Sequence, residues 1–124
     1  MLNYILLYSG ALLPFLWGIS HLFPTKGVVK GFGEISDDNK RIITMEWIIE
    51  GVALIFIGAV IASVTCIDYT RTISKVIYWI TFVMLNTLSV ISYFTGYKIN
   101  FLPFKLCPVI FTSSSILILL GRYI

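Results

Sequence analysis

The sequence predicts an all-α integral membrane protein whose four transmembrane helices form an up-down-up-down antiparallel bundle. Three observations carry that expectation. Long apolar stretches fill nearly all of the 124 residues, and ~20 apolar residues suffice to cross a bilayer core as a helix. Hydrophobic residues make up 58% of the chain and charged residues only 12%, against roughly 25% charged in soluble domains. The connections after the second and third stretches are short, which forces helices adjacent in sequence to run antiparallel. A mean hydropathy of +0.94 agrees.

The first span is Leu2 to Leu22. It lacks the positively charged start of a signal peptide, and no small-x-small cleavage site follows it. It is therefore expected to remain as a transmembrane helix. Gly10, Pro14, Gly18 and His21 recur at spacings of four, four and three. Small residues at that repeat mark a face where another helix backbone comes close, which turns His21 toward the bundle.

The polar loop 23–41 follows. Pro24, Gly27, Gly31 and Gly33 are expected to prevent a long helix there. Gly31-Phe32-Gly33-Glu34 has neither the spacing nor the preceding strand of a phosphate loop. It reads as a flexible turn able to fold over a neighbouring pocket. Ser36-Asp37-Asp38-Asn39 then supplies a helix N-cap, with acids at the positive end of the dipole. The second helix is expected over 37–66, ~45 Å long at 1.5 Å per residue, with residues 47–66 as its membrane part. Gly58-x-x-x-Ala62 and Ala59-x-x-x-Ser63 in this span are small-residue pairs suited to helix association.

The third span is expected over 73–95 and the fourth over 101–121. Trp17, Trp47, Trp79 and several tyrosines suit the aromatic belts at the two membrane surfaces. Cys66 and Cys107 fall near opposite surfaces, ~25–30 Å apart by helix rise. A disulfide needs Cα atoms within ~7 Å, so none is expected between them. No metal-ligand spacing or CxxC occurs, and no metal is expected.

The net charge is +3. Its basic residues are spread over loops and one end, without the aromatic-interleaved patch of a nucleic-acid binder. Lys26, Lys30, Lys40, Arg41, Lys98 and Lys105 lie on the side of loops one and three, whereas Arg71, Lys75 and Arg122 lie on the other. The positive-inside rule then places loops one and three in the cytoplasm and both termini outside. Small size and the absence of eukaryotic targeting signals make a bacterial cytoplasmic membrane the default location.

Polar groups inside a membrane are costly, so the few present define the candidate site. Glu46 and Glu50 lie one helical turn apart, with Glu50 expected inside the hydrocarbon and Glu46 at its edge. An acid there costs ~2.5–3.5 kcal/mol unless it is paired, protonated or facing a polar cavity. His21 ends the first helix on the same side. His21, Glu46 and Glu50 are the candidate catalytic residues, because a buried carboxylate and an imidazole can pass a proton between them. An alternative use of the three is metal ligation, for which the spacing is weak warrant.

Asn86, Ser89 and Tyr93 share one face of the third helix, and Asn86 is expected to seek a partner across the bundle. Lys105, Pro108, Thr112 and Ser115 share a face of the fourth. The two hydroxyls read as packing residues, and Lys105 either snorkels to the surface or turns toward an acid. The end of helix one, the start of two, the end of three and the start of four converge at the side of loops one and three. That convergence predicts a pocket open to the cytoplasm, lined by His21, Glu46, Glu50, Tyr93 and Lys105, with Asn86 beneath. Trp17, Trp47, Asn86, Tyr93 and Lys105 are the candidate substrate-binding residues.

Three functions are compatible with this pattern. The first is a membrane pocket for a lipid or other apolar small molecule, with acid–base chemistry. The second is a proton-coupled transporter working as a homo-oligomer. The third is an accessory subunit of a membrane complex. No nucleophile motif is recognisable, and the sequence leaves any cofactor unknown. Length and helix count resemble the small multidrug resistance exporters, dimers with an essential acid in the first helix. Leu2–Leu22 contains no acid, so that role does not carry over, and a proton site would fall to Glu50. Size and helix count are also similar to the DoxX-like group of small four-helix membrane proteins. This likeness is architectural and implies no residue roles.

Overall fold

Five helices and no strand make up the chain: α1 Leu2–Leu22, α2 Thr25–Gly31, α3 Asp37–Asp68, α4 Thr72–Gly96 and α5 Leu102–Tyr123. The structure is a computed structural model and describes residues 1–124. α1, α3, α4 and α5 are each long and apolar enough to cross a membrane. The protein is an all-α integral membrane protein.

Local chemistry explains the helix ends. Ser36 Oγ accepts the Asn39 N–H at 3.2 Å, which caps α3, and Asp37 and Asp38 occupy the first turn at the positive end of the dipole. Pro103 stands in the first turn of α5, where its missing N–H would have had no intrahelical partner. α3 runs two residues past the expected 66 and α5 two past the expected 121, so the α3–α4 connection shrinks to Tyr69–Arg71. Asp68 tightens that turn by accepting from the Thr70 N–H at 2.9 Å and the Thr70 hydroxyl at 2.6 Å.

The loop 23–41 differs from expectation. Its glycines do prevent a long helix, but Thr25–Gly31 still closes a seven-residue one. Val28 N–H donates to Pro24 O at 2.9 Å. Each interior glycine costs ~1 kcal/mol relative to alanine in a helix, and a two-turn segment held against the bundle tolerates that cost. The helix ends at Gly31, and the chain turns away two residues later at Gly33, the only residue with positive φ (+75°).

Packing follows a repeat of 3.5 residues. α3 buries Trp47, Gly51, Leu54, Gly58, Ile61 and Thr65 at alternating spacings of four and three, the pattern of supercoiled helices. α1 answers with Leu7, Ala11, Pro14, Gly18 and His21. Small residues set the approach: a Cβ built on Gly18 would lie 2.5 Å from Gly51 O, and one on Gly58 would lie 2.5 Å from Ala11 O. Across α1 and α5, Ser114 Oγ donates to Gly10 O at 2.6 Å and Asn3 Nδ2 to Gly121 O at 3.1 Å. In both pairings residue numbers rise on one helix as they fall on the other, so α1 is antiparallel to α3 and to α5.

α4 packs chiefly on α5. Ser89 Oγ donates to Pro108 O at 3.0 Å and lies 2.8 Å from Thr112 Oγ1, so Thr112 does serve the helix interface. α3 and α4 touch less. Thr65 Oγ1 and Tyr78 OH pair at 2.9 Å near one end, and an apolar groove of about 240 Å³ opens between Phe56, Val60, Ile77 and Met84 along the rest. The core includes Leu7, Leu54, Ile61, Leu85, Phe111 and Ile118. Leu12, Leu16, Phe56, Ile80 and Val83 point outward, the surface a bilayer would cover. Cys66 is exposed, Cys107 is buried, and both are free thiols.

Candidate functional site

The site is built where α1 ends. The last carbonyls of a helix lack intrahelical donors, and α3 supplies one from a side chain: Trp47 Nε1–H donates to His21 O at 2.6 Å. The same indole lies flat on the imidazole, with ring centroids 3.8 Å apart and planes inclined by 15°. Phe104 of α5 meets the Trp47 ring edge-on at 5.9 Å. His21 is thereby held at 6% exposure, fixed by its own backbone and by ring stacking together.

Glu50 stands one helical turn along α3 from Trp47. Its Oε2 lies 3.3 Å from His21 Nε2, and the Glu50 side chain is half exposed. That distance is within ion-pair range, yet the carboxylate is off the N–H axis and Nε2 forms no aligned hydrogen bond. Trp17 Nε1, one turn before His21 on α1, is also buried without a hydrogen-bond partner. The Cys107 thiol lies near the Trp17 indole but forms no hydrogen bond with its N–H.

Two adjoining spaces surround these groups. A cavity of about 90 Å³ is lined by Trp17, Ser20, His21, Pro24, Trp47, Phe101 and Pro103. A groove of about 530 Å³ lies under α2, between Val28, Gly31 and Phe32 on one side and Ile99, Phe101 and Phe104 on the other. Pro24 and Phe101 line both. The polar corner therefore shares two walls with the apolar groove. Gly31 and Phe32, expected as a turn able to cover a pocket, form part of the groove wall.

Of the sequence candidates, the structure brings Trp17, His21, Trp47 and Glu50 together. Tyr93 lies elsewhere, in a separate groove of about 490 Å³ between α4 and α5 with Ser89, Tyr97 and Thr112. Glu46 is exposed and makes no ion pair. Asn86 does not reach across the bundle; its amide donates to Phe82 O, one turn back on α4, at 2.7 Å. Lys105 is half buried and pairs with no acid. The expected five-residue pocket over Asn86 is thus divided: antiparallel order puts these residues at one end, but helix rotation points them to different faces. No group of three His, Cys, Asp or Glu side chains comes together to hold a metal ion.

Sequence reasoning missed the walls Pro24, Val28, Phe101 and Phe104. A weak signal existed: Val28 and Phe32 are four apart, as are Lys26 and Lys30, the spacing of a two-faced helix. The glycines between them masked it.

The chemistry available is specific. An indole N–H only donates, an imidazole Nε2 donates or accepts according to tautomer, and an ionised carboxylate only accepts. One small cavity thus has both nitrogens in its lining residues, with the Glu50 carboxylate beside His21. Comparison with known protein families, with characterised proteins and with solved structures finds no match to this chain.

Proposed function

We propose that this protein binds a lipid or other apolar small molecule within the membrane, at the end of the bundle where α1 finishes and α5 begins. One observation carries the reading: Trp17 Nε1 and His21 Nε2 are buried without hydrogen-bond partners, and both residues line a cavity that adjoins a larger apolar groove. Buried polar groups are almost always satisfied, and leaving one unmade costs ~1–3 kcal/mol. A bound molecule with a polar end in the cavity and an apolar body in the groove relieves that cost.

The His21–Glu50 approach of 3.3 Å supports proton exchange between the two groups, and hence acid–base chemistry on the bound molecule. Glu50 sits near one end of the bundle and is half exposed, a placement that favours a local pocket over a proton path across the membrane. Lys26 and Lys30 on α2 with Lys40, Arg41, Lys98 and Lys105 favour a cytoplasmic position for this end, both termini outside, in a bacterial cytoplasmic membrane.

The test is ligand retention. Native mass spectrometry of the full chain, released from membranes in mild detergent, should show a copurified apolar molecule. Val28→Trp fills the groove and should abolish retention, while Val83→Trp, on the outer surface of α4, should leave it intact. Equal retention by the Val28 variant and the wild type would remove the groove as the binding place.

A further inference from the structure

We propose that the bound molecule presents a neutral oxygen, a carbonyl or hydroxyl, to the Trp17–His21 cavity, and that an anionic head is disfavoured. The inference rests on the pocket reading above and adds the chemistry of the head group. Trp17 Nε1–H can only donate, so whatever satisfies it must accept. Glu50 Oε2 lies 3.3 Å from Nε2 of His21, a residue that lines the cavity, so an ionised Glu50 behind the imidazole would repel a carboxylate or phosphate bound there. A neutral oxygen meets both conditions.

Size agrees with this division. The cavity of about 90 Å³ holds a head group of a few heavy atoms, since a water takes ~30 Å³ of liquid volume. The groove of about 530 Å³ takes a chain or ring system, and its walls Val28, Phe32 and Phe104 are apolar. Pro24 and Phe101, shared by both spaces, join the head position to the body position.

The three tryptophans provide the readout. Trp47 Nε1–H is bonded to His21 O and Trp79 Nε1–H to Tyr123 OH, so only the Trp17 indole N–H is without a partner. The full chain is placed in nanodiscs of ether-linked phospholipid, which lack ester carbonyls, and the indole N–H resonances are assigned by Phe substitution at each tryptophan. Methyl decyl ketone, dodecanoate and dodecane are then titrated. The ketone should move the Trp17 N–H downfield saturably and leave Trp79 unmoved. Dodecanoate should need a concentration about tenfold higher, for one like-charge contact, and Glu50→Gln should bring it level with the ketone.

Exchange into ester-linked phospholipid separates two sources of the oxygen. A Trp17 shift without added ketone assigns it to the ester carbonyl of a bilayer lipid, and a shift only with ketone assigns it to a free small molecule. Either supports the proposal. If all three probes perturb Val28 and Phe104 while the Trp17 N–H stays still, or if dodecanoate matches the ketone in the wild type, the head-group assignment is wrong and groove binding stands. If no probe moves any of these signals, groove binding falls as well.

Discussion

Trp47 grips His21 twice: its indole lies 3.8 Å from the imidazole at 15°, and its N–H donates to the His21 carbonyl at 2.6 Å. One side chain on α3 therefore closes the open end of α1 and fixes the ring orientation of the only histidine in the chain. The two effects separate by substitution. Trp47→Phe keeps an aromatic face but leaves a buried carbonyl unsatisfied, so it should cost ~1–3 kcal/mol. Trp47→Ala also removes the stacked surface and should cost ~3–5 kcal/mol. Unfolding titrations with SDS in mixed micelles measure both, and equal losses would show that the hydrogen bond dominates.

Close backbone approach makes a second prediction. Gly18→Ala and Gly58→Ala each drive a methyl into backbone atoms of the facing helix, at 2.5 Å from Gly51 O and Ala11 O respectively. Overpacking of this kind costs ~1–3 kcal/mol, and backbone has no rotamer to yield. Gly27→Ala meets nothing within 4 Å and sits inside α2, so it should be neutral or stabilising by up to ~1 kcal/mol. The same unfolding titration should separate the three, with Gly27→Ala at or above wild type and the other two below it.

Space is not the issue at Gly33. No atom lies within 4 Å of a Cβ built there, but its φ is +75°. An L-residue in that region is strained by ~1–2 kcal/mol. Gly33→Ala should therefore loosen the linker between α2 and α3, detectable as faster amide exchange at Val28 to Phe32, with the four long helices unchanged.

Glu50→Gln should scarcely alter stability. Its carboxylate is off the hydrogen-bond axis of His21, so a glutamine of the same shape gives up only a poorly aligned contact. His21→Ala, which empties a buried and stacked position, should cost more than Glu50→Gln in the same unfolding titration. A larger loss in Glu50→Gln would mean that the ion pair, rather than the Trp47 stack, holds the corner together.

Orientation is open to direct labelling. In a variant whose two native cysteines are replaced by serine, a cysteine at Lys98 should react with an impermeant maleimide only from the cytoplasmic face. One at Arg71 should react only from outside. The reverse pattern would place the basic side of the bundle outside the cell.

Much of the architecture was legible because hydrocarbon as solvent imposes a coarse rule. A span must be long, helical and apolar, and Leu2–Leu22 matched its helix to the residue. Gly10, Pro14, Gly18 and His21 were legible as a buried face because small residues permit what large ones forbid. α2 was not legible: over seven residues, two glycines weigh as much in propensity as the Val28–Phe32 spacing weighs in favour. Asn86 also misled. An amide in a membrane needs a partner, but the carbonyl of Phe82 one turn back satisfied it without the bundle.

By itself the sequence determined that this chain lives in lipid, the approximate extents of its four long helices, and which polar residues fall toward one end of the bundle. Those follow from local length, hydropathy and spacing. Only the tertiary structure decided that Trp17, His21, Trp47 and Glu50 share a corner while Glu46, Tyr93 and Lys105 face elsewhere. The reason is rotational. Each residue turns a helix by 100°, so residues at one height part company unless helix packing sets the rotation, and here contacts such as Gly18 on Gly51 set it.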